Sequence, residues 1–211
     1  SLNNNGDTPL MLAIQKENLY FVNILLNTRR VNVNIQNNNG TTALMLAIKK
    51  NVRDIVDKIL ETPNIDVNIQ DKNGWTALMV AIYGGKKEIV ELLIKRKADL
   101  EIQNQMDETA LIASIMLGRI DFAEMLLKGG ASMTPYCAEQ LVRRSLLGKT
   151  KLIQLLIKCK ENESARDIVI YFTQEAKEKA RDEFDAFIAV TLTPIILFLI
   201  VIIIGILNKT N

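Results

Sequence analysis

Residues 37–48 read NNNGTTALMLAI, and nearly the same phrase returns at residues 72–82 as KNGWTALMVAI and stands at residues 4–14 as NNGDTPLMLAI. Aligned on one leucine, Leu10, Leu44, Leu78 and Leu111 lie 34, 34 and 33 residues apart. A phrase recurring at a fixed period in this range encodes one supersecondary unit, stacked. Each copy can be read from its residues. Asn5-Gly6, Asn39-Gly40 and Asn73-Gly74 predict a tight type I′ turn, in which both central residues need positive φ. Thr8, Thr42, Thr76 and Thr109 stand where an N-cap hydroxyl meets free amide hydrogens, and Pro9 sits at the first helical position.

A short helix then carries Leu10, Ala13 and Ile14, with copies at Leu44, Ala47, Ile48 and at Leu78, Ala81, Ile82. A second carries Phe21, Val22, Leu25 and Leu26, repeated as Ile55, Val56, Ile59, Leu60, as Ile89, Val90, Leu93, Ile94 and as Phe122, Ala123, Leu126, Leu127. The spacing i, i+1, i+4, i+5 gives one apolar stripe per helix. An extended alternating run follows, such as VNVNIQ at 31–36. One helix pair of this size cannot bury its own stripe, and a neighbour must cover it. Met11, Met45 and Met79 form a further stripe, which reads as core packing.

The pattern resembles the ankyrin repeat, a turn and two helices with a Thr-Pro-Leu-His-x-Ala signature. The resemblance covers residues 3 to about 134. It departs at the usual histidine, which is Met11, Met45, Met79 or Ile112, and at the turn glycine of the fourth copy, which is Asp107. The later glycine survives as Gly85 and Gly118 but is Glu17 and Asn51 in the first two copies. The resemblance implies an all-α solenoid of stacked helix–turn–helix units with β-turn tips. Its units fall at 3–36, 37–70, 71–103 and 104–134, with a degenerate fifth, or capping, unit at 135–160. Phe21 and Val22 are as apolar as their internal copies, so further units are expected before Ser1.

Beyond the repeats, a linker helix with a narrow apolar stripe is expected over 161–185, and a transmembrane helix over 186–207, AFIAVTLTPIILFLIVIIIGIL. Those 22 residues hold no charge. As a helix they would span about 33 Å against a hydrocarbon core of about 30 Å. Arg166, Lys177, Lys179 and Arg181 precede the segment and only Lys209 follows it. The positive-inside tendency then puts the repeats on the cytoplasmic side of a single-pass protein.

The composition narrows the chemistry. Net charge is +2 over 211 residues, so no global field favours nucleic acid. Histidine is absent, which removes the commonest general base and transition-metal ligand. Cys137 and Cys159 fit no zinc or redox spacing and read as buried or half-buried thiols. No Gly-rich phosphate loop or nucleophile–base pair occurs, so neither an enzyme nor a cofactor, metal or small-molecule substrate is expected.

Binding is the remaining class, and the resemblance implies where: a concave face of turn tips and first helices, facing a protein partner. Carried over by position, the contact residues are Asp7, Thr41, Trp75 and Glu108 before each threonine. To these are added Gln15 and Lys16, Lys49 and Lys50, Tyr83 with Gly84, Met116 and Leu117, and Met106 from the fourth turn. Trp75, Tyr83, Met106 and Met116 are expected to cluster. Two other readings stay open: the repeats as the cytoplasmic region of a larger or oligomeric membrane protein, and a secreted host-directed effector.

Overall fold

The four threonines start four helices. Thr8, Thr42, Thr76 and Thr109 sit in extended backbone, and each hydroxyl oxygen accepts from the amide three residues on, at 3.2 to 3.3 Å. In this computed structural model the described residues are 2–28, 31–134 and 136–137. They hold eight helices: α1 (Pro9–Gln15), α2 (Leu19–Asn27), α3 (Ala43–Lys50), α4 (Arg53–Leu60), α5 (Ala77–Tyr83), α6 (Lys87–Lys95), α7 (Ala110–Met116) and α8 (Ile120–Lys128). There is no strand among the described residues, and the alternating runs form turns and irregular backbone. Thr134 accepts from the Cys137 amide at 3.2 Å, the same cap relation once more, at the edge of the described chain.

The odd helices pack successively, α1 on α3, α3 on α5 and α5 on α7. The even helices form a second layer in which α2 meets α4 and α6 meets α8. The seam between layers is the apolar stripe read from the sequence. Ile48, Ile55, Val56, Ile59, Leu60, Ile82, Val90 and Leu93 are wholly buried, and so are Met11, Met45 and Met79 to within 2%. Burying one Ile or Leu side chain contributes about 1.5–3 kcal/mol. The Arg96 guanidinium, at the end of α6, also donates to the Leu60 carbonyl at the end of α4.

The tips are tied by backbone. Asn38 N donates to the Asn5 carbonyl (2.9 Å), Lys72 N to Asn39 (3.1 Å) and Gln105 N to Asn73 (3.0 Å). Gln36 and Gln70 each donate one side-chain amide to two carbonyls of the following unit at 2.8 Å. The turns differ from the expected type I′. Positive φ falls on Gly6, Gly40 and Gly74 (72°, 74°, 80°), whereas Asn5, Asn39 and Asn73 keep negative φ. The turn instead closes from each glycine amide to the carbonyl three residues back, on Asn3, Asn37 and Asp71. The reason for glycine lies between units. A Cβ at Gly40 would stand 2.6 Å from the Lys72 nitrogen. In the fourth turn Asp107 takes the glycine's conformation at φ 57°.

The first unit differs at its outer helix. Phe21 is 54% exposed, whereas its counterparts Ile55, Ile89 and Phe122 are buried to 3% or less. Tyr20 and Ile24 are also exposed there, with Tyr20 edge-on to Phe21 at 6.1 Å.

Among the described residues no helix is long and apolar enough to cross a membrane. The expected capping unit at 135–160 (apart from 136–137), linker helix at 161–185 and membrane span at 186–207 lie outside the described residues, as does Cys159.

Candidate functional site

The residues expected to face a partner separate into those spent inside the fold and those left outside. Asp7 is 2% exposed and Thr41 is buried as well. Three amides converge on the Asp7 carboxylate: Asn37 Nδ2 at 2.8 Å on Oδ1, and Asn3 Nδ2 and Gln15 Nε2 at 3.2 Å on Oδ2. The Asn37 bond, reaching from the second unit, holds the carboxyl below its ordinary range; the Gln15 and Asn3 bonds add to this and burial opposes it. With these donors Asp7 acts as a tie between the first two units. Gln15, though exposed, is partly committed to the same tie.

The remaining positions are accessible. Lys16, Lys49, Lys50 and Leu117 are exposed, Met106 is the most open of the apolar ones at 61%, and Trp75, Glu108 and Met116 are half-buried. Lys50 faces Glu17 at 3.7 Å.

Trp75 and Tyr83 come together. Their ring centroids are 4.2 Å apart at a 57° tilt, a geometry in which two rings attract. The pair exists because the cap at Thr76 fixes Trp75 at the mouth of α5 while Tyr83 ends the same helix. The Asp71 carboxylate accepts from the Trp75 amide at 3.0 Å and so orients its backbone. The two rings wall a shallow groove of about 240 Å³, completed by Ile48, Val80 and Gly84 and edged by Lys49 and Lys86. Burial, and secondarily the nearby Glu108 carboxylate, push the Tyr83 hydroxyl up. Of the expected four-residue cluster, Met106 and Met116 do not line this groove.

Two sets of residues escaped the sequence reading. Asn3, Asn37, Asp71 and Asn104 each accept two turn amides through one side-chain oxygen, at 2.8 to 3.0 Å. Their own spacing of 34, 34 and 33 residues carried the signal. Lys86 also lines the groove, and nothing in the phrase marks it: its counterparts are Asn18, Val52 and Arg119.

No three His, Cys, Asp or Glu side chains gather as a metal-holding group among the described residues. Cys137 is a buried free thiol that receives the Thr134 hydroxyl at 3.1 Å. Burial raises its pKa, the opposite of what a reactive thiolate needs.

The family model of ankyrin repeats (three copies) matches residues 1–71 and 55–136. The chain belongs to the ankyrin repeat family. Comparison with the curated proteins gives no match. Ankyrin repeats support a role in protein–protein interaction, and proteins built from them are typically non-enzymatic. The Trp75–Tyr83 groove opens from the first helix of the third ankyrin repeat and borders that of the second.

Proposed function

We propose that this ankyrin repeat protein is an interaction scaffold held at a membrane. A protein partner binds the face formed by α1, α3, α5 and α7 with their turns, and residues 186–207 lodge in the bilayer with the repeats on the cytoplasmic side. The observation that carries the binding half is the Trp75–Tyr83 pair, two large rings left half-buried and exposed on one groove. Trp and Tyr are the residue types that most often dominate interface energetics. The membrane half is supported by the 22 uncharged residues of the tail and the four basic residues before them against one after.

The test is a paired experiment on the full chain in the producing cell. Extraction at alkaline pH should leave the protein with membranes, and truncation before Ala186 should release it. Affinity capture should recover a partner with the wild type and lose it with Trp75→Ala plus Tyr83→Ala. Equal recovery by both forms would remove the groove from the binding face. Alkaline release of the full chain would remove the anchor.

A further inference from the structure

The groove's rim has a chemistry as definite as its floor. Lys49 and Lys86 edge it. Among the described residues neither has an ion-pair partner, whereas the neighbouring Lys50 faces Glu17. The Trp75 indole N–H likewise has no acceptor among the described residues; only the backbone amide of Trp75 is bonded, to Asp71. Two lysines thus border a groove whose accessible apolar surface is that of the two rings, with Ile48 and Val80 buried beneath. Glu108 bears on Tyr83 and is held by Asn104 Nδ2 at 2.8 Å, so negative charge is disfavoured near the tyrosine hydroxyl and favoured at the lysine edge.

We propose that the groove takes an acidic segment of a partner protein, with an aromatic or aliphatic side chain against Trp75 and Tyr83 and carboxylates on Lys49 and Lys86. This rests on reading the face as a protein-binding one and adds the partner's chemistry to it. Opposite charges across such a rim speed encounter and select against neutral and basic rivals. Cationic rims around apolar pockets also leave the anchor's burial to supply affinity, since exposed ion pairs contribute little by themselves.

Trp75 is the chain's sole tryptophan, so its emission reports on the groove without a label. The probes are peptides sharing one Leu-Phe core, flanked on both sides by glutamates, by glutamines or by lysines, titrated into the full chain in mild detergent. The glutamate peptide should shift the emission saturably and bind about three- to tenfold tighter than the glutamine peptide, the gap narrowing as salt is raised. Lys49→Glu with Lys86→Glu should reverse the order, so that the lysine peptide binds best. That gain also shows the variant to be folded. Equal binding of all the peptides overturns the acidic specificity while leaving the groove a protein-binding one. No shift with any peptide overturns it too, and capture of a partner that depends on Trp75 and Tyr83 then shows whether the broader reading stands. A shift with phosphatidylserine vesicles but not peptides, or one that follows protein concentration alone, assigns the groove to lipid or to a second copy and likewise overturns it.

Discussion

At the scale of single residues, glycine and its substitute make opposite demands. Gly40 needs positive φ and has no room for a Cβ, which would meet the next unit's backbone. Gly40→Ala should therefore cost more than the roughly 1–2 kcal/mol of left-handed strain alone. Asp107 bears that strain in the fourth turn, at φ 57°. Asp107→Gly should recover about 0.5–1 kcal/mol, visible as a higher urea midpoint at unchanged slope. Asp7 supplies a pH dependence. Its folded pKa lies below the ordinary 3.8, so the unfolded chain binds the proton more readily. The stabilisation is present above that ordinary value and is lost as pH falls through the lower folded one. Asp7→Asn should flatten this acid limb in a pH series of thermal melts. A limb equally steep in the variant would place its origin elsewhere.

At the scale of elements, caps and stripes set the stability of each helix pair. Thr76→Ala removes the acceptor for the Met79 amide and should cost about 1 kcal/mol. Ile55→Ala, in a site with no exposure, should cost about 2–5 kcal/mol, and Phe21→Ala at the equivalent position of this 211-residue chain less than about 1 kcal/mol, because that side chain is 54% exposed in it. Chemical denaturation of the two variants separates the cases. These elements were legible in the sequence because each rests on local chemistry or on period: the threonine before the helix, the methionine in the buried column, the apolar pairs. The turn type was misjudged because Asn-Gly was read by itself, as a type I′ turn. The conformation is imposed instead by the Asx side chain three residues before the glycine and by the next unit's backbone. The contact face was legible only in part. One column holds Asp7, Thr41, Trp75 and Glu108. The first two sink beneath the turns while the indole reaches out, a difference of side-chain size and hydrogen bonding that spacing does not encode. Lys86 reaches the groove through the bend between α5 and α6, which lies outside the repeated phrase.

At the scale of the molecule, each unit touches its neighbours, so stability spreads along the stack by short steps. Ile59→Ala, buried in the second unit, should raise amide exchange most in α1 to α4 and least in α7 and α8. A uniform increase would mean one global cooperative block. The same arrangement makes the groove possible, since Ile48 and Lys49 come from the second repeat and Trp75, Val80 and Tyr83 from the third. Function therefore hangs on two stacked repeats presenting one surface. The most direct measurement replaces Tyr83, or as a control Glu91 on the exposed side of α6, by a photo-crosslinking phenylalanine in the full chain in the producing cell. Position 83 should yield a discrete protein adduct that Lys49→Glu diminishes, with none from position 91. Identical adducts from both positions, or none from 83, would contradict a partner seated in the Trp75–Tyr83 groove.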